Sequence, residues 1–333
     1  MTTPQSIEQR ADNFRATFQH VTDQVRGTFV GHHALVEQAL IAFFCGGHTL
    51  IEGAPGLGKT LLVRTIAQSL KLSYARVQCT PDLLPGDVTG TNILTDGPNG
   101  ARAFSFHRGP IFSNVVLADE INRATPRTQS AFLEAMQEHQ VTVFGDTHEI
   151  AAPFAVFATE NPIEMEGTYP LPEAQLDRFF FKLKMGFPTA EGLGQILDRT
   201  TTQQEPKVER VFGLGEILEM RETARAVPVA QPVQDYAIRL TLATHPESEL
   251  ATDMTRRFVR FGSSPRGTQA LILGGKVRAL LADRLYVASE DIRNVALDAL
   301  RHRLLLNFDA EAERVNTDAI IEDILQRVST PSA

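Results

Sequence analysis

Gly53-Ala54-Pro55-Gly56-Leu57-Gly58-Lys59-Thr60 is the stretch that decides how this chain is read. It satisfies G-x-x-x-x-G-K-[ST], and the required context surrounds it. A short apolar strand over 49–52 runs into the stretch, and an apolar helix begins near Thr60. Glycines let the backbone wrap phosphate groups with several N–H groups pointing inward, and the helix dipole adds positive potential. In such a loop Lys59 sits on the β- and γ-phosphates and the Thr60 hydroxyl holds Mg²⁺. Gly53, Ala54, Pro55, Gly56, Leu57, Gly58 and Leu61 complete the candidate nucleotide contacts. A glycine-rich turn of purely structural purpose is the alternative.

Downstream, Val115-Val116-Leu117-Ala118-Asp119-Glu120 reads as a buried strand with two carboxylates at its C-terminal end, where parallel sheets bind ligands. Asp119 is placed to meet Mg²⁺ through its water shell, and Glu120 to polarise a water for attack on the γ-phosphate. Without the phosphate loop, the same pair reads as an ordinary cap. Another apolar run, 154–159, ends in Glu160-Asn161-Pro162. The Asn161 amide can orient the attacking water, or the residue can simply make a turn before proline.

Strands are expected over 49–52, 74–79, 115–118, 154–159 and 179–184. Between them, the clearest helix starts with Thr125 as cap and Pro126 in its first turn. Such alternation means βαβ units and a largely parallel sheet covered on both faces. Ahead of the sheet, Ile7, Phe14, Phe18, Val21 and Val25 fall at helical spacing, and a second helix is expected over 35–44. Two segments, 84–106 and 140–150, read as hairpin-like insertions, either working parts or ordinary surface loops. After 188 the strand signals stop, and helices are expected over 193–202, 214–226, 233–243, 265–283, 289–305 and 317–328. The expected organisation is therefore an α/β nucleotide-binding domain over 1–187 and a smaller all-α domain over 188–333.

Two arginines stand out. Ser264-Pro265-Arg266 puts a cation at a helix N-terminus, where the dipole disfavours it unless an anion is present. A bound phosphate or a surface carboxylate would serve. Arg178 directly precedes the last apolar strand; on a protein edge it could reach a neighbouring subunit's γ-phosphate, or it could pair locally with Asp177 or Glu173. Arg123, close behind Glu120, is a further candidate for an inter-subunit contact.

Composition narrows the rest. The 333 residues include 32 basic and 40 acidic side chains, a net charge of −8 that gives no general attraction for nucleic acid. Cys45 and Cys79 are the only cysteines, too few for a disulfide framework or a cysteine-rich zinc site, which points to a reducing compartment. The N-terminal residues lack a signal-peptide pattern, and the most apolar run, 39–45, is far shorter than the ~20 residues of a membrane helix. A cytoplasmic protein without membrane insertion is the expectation. His32-His33 lacks metal-ligand spacing, and no nucleophile elbow supports Ser–His–Asp chemistry.

With these pieces in order, the chain resembles the AAA+ ATPases, and within them the MoxR family. Gly53–Thr60 and Val115–Glu120 match the Walker A and Walker B motifs. Ala158-Thr159-Glu160-Asn161-Pro162 is similar to sensor 1, and Gly262-Ser263-Ser264-Pro265-Arg266-Gly267 to sensor 2. Phe106-His107-Arg108-Gly109-Pro110-Ile111-Phe112, Asp119-Glu120-Ile121-Asn122-Arg123-Ala124 and 171–179 are similar to segments typical of MoxR proteins. The resemblance implies a P-loop NTPase core with a parallel sheet, then a helical lid. It also implies Arg178 as a finger acting in trans, Arg266 as a cis sensor, and Val30-Gly31 bordering the adenine pocket. The insertions take the places of the helix-2 insertion and the pre-sensor-1 hairpin.

A ring, expected to be a homo-hexamer, with ATP between subunits follows from the same resemblance. So does a chaperone-like remodeller that matures or assembles other protein complexes, working with a von Willebrand factor A domain partner and a protein client. An ATP-gated scaffold with slow hydrolysis and an ATPase subunit of a metal-chelatase-like machine are the rival readings.

Overall fold

A computed structural model describes residues 6–96, 102–163, 167–201 and 213–331. In chain order, α1 (Ile7–Thr28) and α2 (His33–Phe44) lead to β1 (Thr49–Gly53), α3 (Lys59–Ser69) and β2 (Tyr74–Gln78). A short α4 (Pro85–Thr89) opens a hairpin of β3 (Gly90–Asp96) and β4 (Arg102–Arg108). Next come β5 (Val115–Asp119), α5 (Pro126–Glu138), the hairpin of β6 (Gln140–Val143) and β7 (Asp146–Glu149), and β8 (Ala155–Glu160). The α/β part closes with α6 (Glu173–Leu176) and β9 (Phe181–Met185).

Strands β2-β5-β8-β1-β9 form one five-stranded sheet in that spatial order, all parallel. Alternation along the strands explains why both faces are covered. Leu117, Phe157, Ile51 and Leu183 enter one core with α1, α2 and α3, whereas Val116, Ala118, Val156 and Leu50 enter another with Phe132, Leu133 and Met136 of α5. The α1 stripe Phe14, Phe18, Val21 and Val25 is buried, but Ile7 is exposed. Thr125 caps α5 by accepting the amide of Thr128, with Pro126 in the first turn.

Parallel pairing has one decisive consequence. Gly53, Gln78, Asp119, Glu160 and Met185 all end their strands on one edge of the sheet. Thr49, Tyr74, Val115, Ala155 and Phe181 begin theirs on the other, roughly 13 Å away at the usual strand rise.

The remaining elements are α7 (Ala190–Thr200), α8 (Leu214–Ala226), α9 (Gln231–Leu242), α10 (Asp253–Phe258), β10 (Val259–Phe261), α11 (Pro265–Leu281), α12 (Ser289–Leu300), β11 (Leu305–Leu306), α13 (Phe308–Ala312) and α14 (Thr317–Arg327). Leu271, Val277, Ile292 and Val295 of this helical part share the core of α1 and α2. Short elements escaped the sequence reading. The helix expected over 289–305 ends at Leu300, because Leu305 and Leu306 leave to pair antiparallel with β10.

Both expected insertions are hairpins. The first is fully paired from Gly90–Arg108 to Asp96–Arg102, and its turn at 97–100 lies outside the described residues. The second turns at Phe144-Gly145, both with positive φ, as a tight hairpin turn requires. Phe106 of the first stacks on His148 of the second at 3.8 Å between ring centres, so the hairpins touch. Cys45 and Cys79 are free and buried. No helix among the described residues is long and apolar enough to cross a membrane.

Candidate active site

The phosphate loop leaves β1 at Gly53 and delivers Lys59 to the first turn of α3. Gly56 (φ +79°) and Gly58 (φ +90°) adopt the left-handed backbone that brings successive N–H groups to one side. Lys59 is buried, and its ammonium donates to the carbonyls of Gly53 and Glu160, tying the loop to the end of β8. Burial lowers its pKa, opposed by Asp119, Glu120, Glu160 and Glu52. A buried cation held by carbonyls at the mouth of a nest fits a phosphate ligand. Glu160 is itself pushed above the usual carboxylate range by burial, against the pull of Lys182 3.6 Å away.

Asp119 and Glu120 stand at the end of β5, beside the loop. Thr60 Oγ1 lies 3.4 Å from Asp119 Oδ2, giving a hydroxyl and a carboxylate, the hard oxygen donors that Mg²⁺ takes alongside water and phosphate. Thr159 fixes both acids. Its hydroxyl donates to Asp119 Oδ1 at 2.6 Å and accepts the Glu120 amide at 2.8 Å. Glu120 has φ +57°, a conformation costly for a non-glycine residue that turns its carboxylate out of the strand direction. Gln78 Nε2 and Arg123 Nη1 each donate to its Oε2 at 3.1 Å. Arg123 thus contacts Glu120 within the chain.

Asn161 shows both of its sequence readings at once. Its Oδ1 accepts the Ile163 amide at 3.1 Å, closing the turn, while Nδ2 is buried without a partner among the described residues. A buried amide N–H₂ left open beside Lys59 and Glu160 is a donor available to a ligand or water. Val30 is buried, and Gly31 lines a cleft of about 380 Å³ with His32, His33, Phe187, Pro188 and Gly192.

Sequence reasoning missed Arg76, Gln78 and Thr159. Arg76 donates to Asp119 Oδ2 from Nε (3.0 Å) and Nη2 (2.7 Å). Period-two spacing puts Arg76 and Gln78 on one face of β2, but only the register Gln78↔Asp119 brings them to the acids.

The two singled-out arginines lie elsewhere. Phe180 donates to the carbonyl of His48, extending the β1–β9 pairing at the starting edge of the sheet. Arg303 binds the carbonyls of Asp177 and Phe180 together, which puts Asp177 at that edge. Arg266 Nη1 is 3.3 Å from Asp177 Oδ2, so a carboxylate supplies its anion. Arg178 Nη1 donates to the Leu133 carbonyl, and its Nε is buried without a partner among the described residues. Asp177, the partner of Arg266, lines a cleft of about 750 Å³ together with Glu52, the residue before the phosphate loop, and with Lys182 and Lys184.

Fold and comparisons agree. The profile of the ATPase family associated with various cellular activities (AAA) matches residues 48–181, and that of the AAA lid domain matches 252–324. Chaperone MoxR1 of Mycobacterium tuberculosis is 40% identical over 95% of this chain and 82% of its own length. Protein MoxR of Methylorubrum extorquens is 29% identical over 92% of this chain and 91% of its own. A crystal structure of a candidate ATPase from Cytophaga hutchinsonii superposes with a TM-score of 0.90 at 38% identity, covering 98% of both chains.

A parallel-sheet AAA+ core followed by a helical lid is the class these observations define. Within it, the chain belongs to the MoxR family.

Proposed function

We propose that this chain is a Mg²⁺-dependent ATP hydrolase whose active site is completed between copies in a ring, taken as a hexamer, and whose turnover remodels a protein client. The observation that carries the reading is the pair of acids held by Thr159 at the end of β5, facing the phosphate loop. Lys59 and the loop amides bind the phosphates; Thr60 and Asp119 would hold the metal. When bound, Mg²⁺ neutralises charge on the phosphoryl oxygens. Glu120 accepts a proton from the attacking water, and the open amide of Asn161 orients it. Gly31, Phe187 and their neighbours receive the base.

Arg178, just ahead of β9, and Arg266, which shares the Asp177 cluster with it, are taken together as the cations that approach the γ-phosphate of the adjacent subunit, in place of the cis role the resemblance implies for Arg266; positive charge there stabilises the transition state. Hydrolysis then shifts the lid and its subunit interface. The name Chaperone carried by a relative supports a protein client. The von Willebrand factor A partner and the cytoplasmic setting complete the proposal.

Glu120→Gln tests the chemical step. It keeps the shape of the site and removes the base, so ATP binding persists while Mg²⁺-dependent turnover falls by about 10² or more. Turnover equal to wild type would overturn the assignment.

A further inference from the structure

The turn that ends α12 carries Arg301, His302 and Arg303, buried basic residues with no part in the chemistry above. Arg303 is the most completely held of them, its side chain 2% exposed. Its Nε donates to Asp177 Oδ1 at 3.0 Å. Nη2 donates to the carbonyls of Asp177 (3.1 Å) and Phe179 (2.7 Å), and Nη1 to those of Phe180 (3.2 Å) and Ala299. One guanidinium from the lid thus grips the backbone on both sides of Arg178.

The same cluster holds Arg266. Asp177 Oδ1 also accepts the Ser264 hydroxyl at 2.7 Å, and Oδ2 takes Arg266. A Cβ on Gly267 would overlap Ser263 Oγ and lie 3.0 Å from Leu300 Cδ2 and 3.2 Å from Arg303 Cδ, so the first turn of α11 packs tightly on the lid around the arginine stem.

We propose that Arg303 is a positioning residue for the trans-acting cations: through Asp177 and the flanking carbonyls it fixes Arg178 and Arg266 to the lid, so that all three move as one body. This rests on the reading that Arg178 and Arg266 serve the neighbouring subunit. A planar fork with five donors suits this array of acceptors, and lysine cannot reproduce it. Lid movement in one subunit would then change the charge presented to the next subunit's nucleotide.

The test is mixed-ring complementation. Arg303→Met alone should lose at least tenfold in turnover while binding a fluorescent ATP analogue within twofold of wild type, because its own phosphate loop is intact. Glu120→Gln subunits hydrolyse nothing but present an intact Arg178 face. Mixed one to one, about a quarter of the interfaces join a competent loop to an intact face. Activity should therefore rise well above the sum of the two variants alone. Arg178→Ala mixed with Glu120→Gln is the control, and Arg303→Gln, a smaller change at the same position, should behave as Arg303→Met does.

If the control rises and neither the Arg303→Met nor the Arg303→Gln mixture does, Arg303 does not act through the trans face and the proposal is wrong. If the control itself stays flat, the trans reading fails and takes the proposal with it. Arg303→Lys restoring full turnover would also overturn it, since charge alone would then suffice.

Discussion

Arg76 of β2 and Asp119 of β5 form an ion pair on the oxygen that the Thr60 hydroxyl approaches, with both Nε and Nη2 of the guanidinium on Asp119 Oδ2. The guanidinium therefore stands where a metal bound to that oxygen would place its charge. Arg76 is half-exposed, so solvent screens the pair and its competition with Mg²⁺ is modest, on the order of 1 kcal/mol. Arg76→Gln is expected to lower the Mg²⁺ concentration for half-maximal hydrolysis by roughly fivefold. A Mg²⁺ titration of turnover at saturating ATP checks this; an unchanged or raised midpoint would show that Arg76 does not compete.

Asn161 allows its two readings to be separated. Asn161→Asp retains an oxygen to accept the Ile163 amide but removes the N–H₂ that has no partner among the described residues. If the amide orients water, turnover falls by about 10² in Asn161→Asp and Asn161→Ala alike. If the residue only shapes the turn, the aspartate variant keeps its rate. Thermal melting of both variants, measured beside their rates, separates loss of the turn from loss of the donor.

His48 ties the two layers of the α/β core together: Nε2 lies 3.0 Å from the Met136 carbonyl, and Nδ1 accepts the Val156 amide at 2.9 Å. Burial pushes its pKa down to about 3. Folded protein therefore keeps His48 neutral where the unfolded chain, with histidine near about 6.5, takes up a proton. Uptake by the unfolded state alone costs stability as pH falls from about 6.5 towards 3, and the contribution is fully present above that window. The Tm should drop between pH 7 and 5, and His48→Gln, which can supply both a donor and an acceptor, should flatten the slope. An equal slope in both proteins would assign it to other groups.

The sequence carried the central sheet and its catalytic edge because those features are local. Val115–Ala118 is apolar on both faces, and Gly53–Thr60 combines backbone freedom with one lysine at fixed spacing. What it could not carry depends on register and tertiary contact. Arg76 looks like any polar residue of an edge strand until β2 is set against β5. Arg303 falls inside a stretch whose periodicity continues the helix, and only the departure of Leu305 and Leu306 to β10 ends α12 early enough to aim it at Asp177. For Arg266 the helix N-terminus predicts an anion nearby, a phosphate or a carboxylate, and only the tertiary structure chooses between them. In the folded chain that anion is Asp177.

The central claim is that one chain supplies the phosphate loop and the next supplies the arginines. Mg²⁺-dependent ATP hydrolysis per protomer, measured across a wide protein dilution series with sizing at each concentration, tests it most directly. Specific activity should collapse over the range in which the assembly dissociates, and Arg178→Ala should lack activity even when assembled, by a factor on the order of 10³. Dissociated protomers that hydrolyse ATP at the full rate would contradict the account.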